Sequence, residues 1–126
     1  MSNQKILCID DSVNLLQVLK ARFQLEMENM EVLTTTDGEE GIRLAQTEKP
    51  NLIILDVTMP KISGIEVLKQ LKSENETCTI PIIILTSRGP EERDMFIKLG
   101  AADYIPSPFE TDDLIKRVKE LLAGGK

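Results

Sequence analysis

The chain has 126 residues, enough for one domain around one core, and its 41% hydrophobic and 29% charged content is ordinary for a globular protein. A formal net charge of −6 without clustered Lys or Arg argues against a nucleic-acid surface, and no apolar run approaches the roughly 20 residues of a membrane span. Histidine is absent, which removes Ser-His-Asp and Cys-His chemistry and leaves a zinc site without its usual ligands.

The N-terminus, MSNQKIL, carries no basic-then-apolar signal segment, so a cytoplasmic location is expected. Lys5 to Ile9 is a short apolar run that stops at Asp10-Asp11, and Ser12 then offers a helix start. Val13, Leu16, Leu19, Phe23 and Met27 recur at three- and four-residue intervals, which predicts an amphipathic first helix. Glu31 to Thr35 reads as a weaker strand at a sheet edge. Asp37-Gly38-Glu39-Glu40 has capping-box spacing and opens a second helix carrying Ile42, Leu44 and Ala45 toward Pro50. Cys8 and Cys78 have no CxxC spacing and read as reduced thiols.

The chain is organised around Leu52 to Pro60. Four large aliphatic residues without polar alternation predict a strand buried on both faces, and Asp56 falls where that run ends. Pro60 limits any continuation, so the carboxylate is placed at the C-terminal end of the strand. Ser63-Gly64-Ile65-Glu66 is a second capping-box start, with Ile65, Leu68 and Leu71 as the buried stripe of a third helix. Ser73 to Thr79 is a loop, and Pro81 to Thr86 is the second fully buried strand. Pro90 and Gly100 bracket a fourth helix with Met95, Phe96 and Leu99. Ala102 to Ile105 is a short strand. The last helix starts near Thr111 with Leu114, Val118, Leu121 and Leu122 on one face, before a tail expected to be flexible.

Five alternating strands and helices predict a doubly wound parallel sheet with helices on both faces, a flavodoxin-like α/β domain spanning 1–126 with its core about 4–122. In the order 2-1-3-4-5, strands one and three are neighbours at the switch point, where their carboxylates converge. Carboxylates about 4 Å apart repel by roughly 4 kcal/mol per pair at an effective dielectric of 20, so Asp10, Asp11 and Asp56 call for a proton or a hard cation. Mg²⁺, which takes one or two carboxylates and completes its shell with water or phosphate oxygens, suits that donor set. A carboxylate beside such a metal can act as a nucleophile toward a phosphoryl group.

The motifs IDDS (Ile9 to Ser12), LDVTMPKISG (Leu55 to Gly64), ILTS (Ile84 to Ser87), LGAADYI (Leu99 to Ile105) and PF (Pro108-Phe109) together resemble a receiver domain of two-component response regulators, of the single-domain, chemotaxis-type fold. The resemblance covers essentially the whole chain. It implies that Asp56 accepts a phosphoryl group from a phosphohistidine on a sensor histidine kinase or phosphotransfer protein. It also implies that Asp11 and Asp56, the backbone carbonyl of Thr58, and Asp10 through water hold Mg²⁺. Thr86 would hydrogen-bond the phosphoryl group and Tyr104 would turn inward. The face made by the fourth helix, fifth strand and fifth helix would then change toward a protein partner. Read from its own chemistry, Tyr104 is a half-buried aromatic with a wet hydroxyl, and Thr86 is a β-branched strand end.

One position departs from the family pattern. Where receivers characteristically carry a lysine that pairs with the aspartyl phosphate, this chain has Ser107, which can donate a hydrogen bond but offers no positive charge. The family geometry implies a cis peptide before Pro108, which a serine permits. Three consequences are open: phosphorylation with weakened coupling, an interaction module that works without phosphorylation, or replacement of the lysine by a nearby cation, Arg88 or Lys61, each otherwise a solvated loop charge. An aspartate-based phosphatase is disfavoured because the second acid it needs, two residues after the nucleophile, is Thr58 here. A dinucleotide-binding domain is disfavoured because acidic Asp10-Asp11 stand in place of a glycine-rich phosphate loop.

Overall fold

A computed structural model describes residues 4–57, 64–86, 89–106 and 108–124. In chain order the elements are β1 (Gln4–Ile9), α1 (Val13–Glu26), β2 (Met30–Thr35), α2 (Gly38–Glu48), β3 (Leu52–Asp56), α3 (Gly64–Ser73), β4 (Ile82–Thr86), a 3₁₀ turn (Pro90–Glu92), α4 (Arg93–Lys98), β5 (Asp103–Pro106) and α5 (Thr111–Leu122). The five strands form one parallel sheet in the order β2-β1-β3-β4-β5, as expected.

The unbroken apolar runs lie at the centre. Every residue of β3 and β4 is buried, and alternate side chains feed two cores on opposite faces of the sheet. On one face Leu7, Ile9, Ile53 and Leu55 meet Ile42 and Ala45 of α2, Val67, Leu68 and Leu71 of α3, and Phe96 of α4. On the other, Ile6, Cys8, Leu52 and Ile54 meet Leu16, Leu19 and Phe23 of α1 and Leu114, Ile115 and Val118 of α5. Each fully buried aliphatic side chain contributes about 1.5–3 kcal/mol by leaving water. Cys8 lies wholly inside, and burial, with a smaller contribution from Asp10, pushes its thiol up to about 12. Cys78 is partly exposed.

Several local expectations are corrected. Val13 is 56% exposed and starts α1 rather than joining its buried stripe, because Ser12 is the cap and accepts from the Leu15 N–H. Asp37 caps α2 by accepting from the Glu39 N–H, but Glu40 does not close a capping box: its carboxylate accepts from the Thr35 hydroxyl, and the Asp37 N–H goes to Thr35 Oγ1. Ser63 lies outside the described residues. The fourth helix is α-helical only over Arg93–Lys98, since the Pro90 segment forms a tighter 3₁₀ turn, and Met95 faces solvent while Phe96 fills the core. Gly100, at φ +109°, turns the chain from α4 toward β5. In the polar loop after α3, Thr77 is fully buried and gives its hydroxyl to the Leu71 carbonyl.

Candidate functional site

Parallel strands present their C-terminal ends on one edge, and the acidic residues gather there. Ile9 pairs with Leu55, so Asp10 and Asp56 each follow a paired residue on adjacent central strands. One carboxylate oxygen from each of Asp10, Asp11 and Asp56 lies within 4.8 Å of the others. Asp10 and Asp56 are buried, whereas Asp11 is exposed. Asp10 is fixed twice: its N–H donates to the Thr35 carbonyl at 3.1 Å, and its carboxylate accepts from the Ser12 N–H at 2.8 Å. Burial pushes the Asp10 carboxyl up to about 6; the Ser12 hydrogen bond opposes the shift, and the charges of Asp56 and Asp11 add to it. Three oxygen donors in one pocket, one of them strained toward its protonated form, make a set that a hard divalent cation fits.

Thr86 ends β4 at 2% exposure, one residue beyond Leu85, the partner of Asp56 across the sheet. It therefore occupies the same edge. Tyr104 lies in β5, paired with Ile84. Contrary to the half-buried expectation, it is 1% exposed, and its hydroxyl donates to the Gly89 carbonyl at 2.6 Å. Its ring stacks on Phe96 with centroids 5.4 Å apart. Thr58, Ser107, Lys61 and Arg88 lie outside the described residues, as does the peptide bond before Pro108.

Sequence reasoning missed a set of contacts around Tyr104. Arg93, the first residue of α4, donates through Nη1 to the Tyr104 carbonyl at 2.9 Å and through Nη2 to Asp103 at 3.0 Å. The other oxygen of Asp103 accepts from Arg117 Nε of α5 at 2.8 Å. One carboxylate thus joins α4, β5 and α5. Opposite charges in these three segments hinted at pairing, but nothing in their spacing specified the partners.

Comparison with known proteins places this arrangement among relatives. The sequence model of the response regulator receiver domain matches residues 6–119. The chain is 41% identical over 121 residues to the alkaline phosphatase synthesis transcriptional regulatory protein PhoP of Bacillus subtilis (strain 168), covering 95% of this chain and 49% of that protein. It thus spans about half the length of that relative. Protein PilH of Pseudomonas aeruginosa is 36% identical over 121 residues, covering 95% of this chain and 98% of PilH. Among solved structures, the chemotaxis response regulator CheY4 of Vibrio cholerae superposes with a TM-score of 0.85 at 30% identity, covering 95% and 99% of the two chains. The receiver domain of the Francisella response regulator 1452 gives 0.87 at 33% identity, covering 98% and 100%.

Proposed function

The chain belongs to the response regulator receiver domain family, phosphorylatable signalling domains, and from that membership we propose that Asp56 is its phosphoacceptor. The observation that carries the reading is the convergence of Asp10, Asp11 and Asp56 at the C-terminal edge of the sheet. Asp10, Asp11 and Asp56, with the Thr58 carbonyl, would hold Mg²⁺, whose charge neutralises the oxygens of the transferring phosphoryl group. An Asp56 carboxylate oxygen attacks phosphorus, the N–P bond of a kinase or phosphotransfer-protein phosphohistidine breaks, and its electron pair returns to the imidazole. The Thr86 hydroxyl then donates to the phosphoryl group.

The output is a protein-interaction face formed by α4, β5 and α5, with Tyr104 as its internal element. Ser107, in the position of the family's lysine, removes one charge–charge contact with the phosphoryl group, so coupling from site to face is weaker. Ser107→Lys is expected to enlarge the change in partner binding on phosphorylation. The whole chain acts as one receiver domain, in the cytoplasm, without direct contact with nucleic acid. Among the described residues no helix is long and apolar enough to cross a membrane.

Intact-mass analysis with Mg²⁺ and a small phosphodonor tests the reading. Wild type gains one acyl phosphate, while Asp56→Ala and metal-depleted samples do not; absence of the adduct from wild type overturns the assignment. The lost lysine charge also motivates a second reading, an interaction module that works without phosphorylation. Unchanged partner binding by Asp56→Ala would favour that module.

A further inference from the structure

β2 is an edge strand, paired with β1 alone, and its last register pair is Thr35 with Ile9. The rung beyond that pair is the Asp10 N–H, which donates to the Thr35 carbonyl at 3.1 Å. No further strand backs β2 on its outer side, and such ladder ends open first. Here α2 supplies the backing. The Thr35 hydroxyl accepts from the Asp37 N–H at 3.1 Å and gives its proton to the Glu40 carboxylate. The first turn of α2, in which the Gly41 N–H donates to the Asp37 carbonyl at 2.9 Å, joins those two partners. The helix also approaches β1 so closely that a Cβ at Gly41 would stand 2.5 Å from Cδ1 of Ile9, the residue before Asp10. Thr35 is buried, whereas Glu40 is exposed.

We propose that Thr35 and Glu40 are positioning residues for the cation site: their side-chain hydrogen bond keeps the last β1–β2 rung closed, and that rung fixes the main chain of Asp10. The inference rests on the reading of Asp10, Asp11 and Asp56 as Mg²⁺ ligands given above, and adds what holds one of them in place. Asp10 is gripped from two helix starts. The cap of α1 holds its carboxylate through the Ser12 N–H at 2.8 Å, and α2 holds its main chain through Thr35. A ligand already in place costs the ion less to order, so contacts behind the ligands set metal affinity. Without Glu40 the buried hydroxyl loses its acceptor, and without the hydroxyl the Asp37 N–H loses its own. Either loss releases the turn that backs the rung.

Two measurements on the full chain test this. Amide hydrogen exchange is followed by NMR without metal, and Mg²⁺ affinity by calorimetry, for wild type, Thr35→Val, Thr35→Ser, Glu40→Ala and Glu40→Gln. The Ile53 amide, bonded to the Pro81 carbonyl at the far side of the sheet, is the internal standard for any change in overall stability. Relative to Ile53, the Asp10 amide is expected to exchange roughly three- to tenfold faster in Thr35→Val and Glu40→Ala, with Mg²⁺ Kd weakened by a similar factor. Thr35→Ser and Glu40→Gln, which keep the donor and the acceptor, should stay within about twofold of wild type. The double variant Thr35→Val with Glu40→Ala should be no worse than the weaker single variant, because one bond is lost in each. Glu40 is exposed, so Glu40→Ala carries the comparison if Thr35→Val unfolds. The proposal is overturned if the Asp10 amide exchanges alike in all five chains, if the conservative variants loosen it as much as the disruptive ones, or if it loosens while Mg²⁺ Kd stays put. A wild type that binds no Mg²⁺ defeats the reading of the acid cluster instead, and the exchange comparison still decides whether Thr35 and Glu40 hold Asp10.

Discussion

At Asp10, burial and the neighbouring carboxylates act against ionisation, whereas the proposed role as a Mg²⁺ ligand would need the ionised form. The raised value, about 6 against about 3.9 for an unfolded aspartate, means that the folded chain holds the proton more tightly than the unfolded one. This contribution to stability is fully present below about pH 4 and is lost as pH rises through about 6. Metal-free protein is therefore expected to lose on the order of 1–2 kcal/mol from this group between pH 4 and 7. Urea denaturation of wild type and Asp10→Asn across that range checks it, with the variant lacking this part of the slope. The acids themselves were legible in the sequence, because apolar runs that stop at carboxylates mark strand ends in a parallel sheet. The burial of Tyr104 was not legible. Its ring partner comes from a helix reached through a turn, and such a pair leaves no periodic trace.

Two element junctions position the site, and each gives a prediction. A Cβ at Gly64, the first residue of α3, would collide with the backbone of Val57 and stand 2.8 Å from the Asp56 carbonyl oxygen. Gly64→Ala is expected to cost about 1–3 kcal/mol of stability and to displace α3 from the end of β3. A lowered urea midpoint together with weaker Mg²⁺ binding would show both effects. At the other junction the Thr35 hydroxyl joins Glu40 of α2 to the end of β2, while the Thr35 carbonyl anchors Asp10. Thr35→Val keeps the shape but strands the Asp37 N–H and removes the donor to Glu40, costing about 1–3 kcal/mol, which thermal denaturation would register. The periodic helices were readable over most of their length. The capping-box pattern at Asp37 misled because a neighbouring strand supplied a better partner for Glu40 than the helix's own backbone.

Across the whole molecule, strand order and the two-sided core followed from apolar runs alternating with amphipathic segments, since a parallel sheet must be covered on both faces. If the acid cluster takes Mg²⁺, ion binding must stabilise the entire fold. A tenfold excess over Kd should add about 1.4 kcal/mol, visible as a rise in Tm at pH 7 that Asp11→Ala and Asp56→Ala abolish. The buried thiol of Cys8 has a separate use. With its proton held to about pH 12 at the centre of the sheet, it is sheltered from maleimides and disulfide reagents, whereas the partly exposed Cys78 can react. The chain thus carries a selective attachment point for a dye, and the slow second labelling event becomes a stopwatch for the opening of its centre.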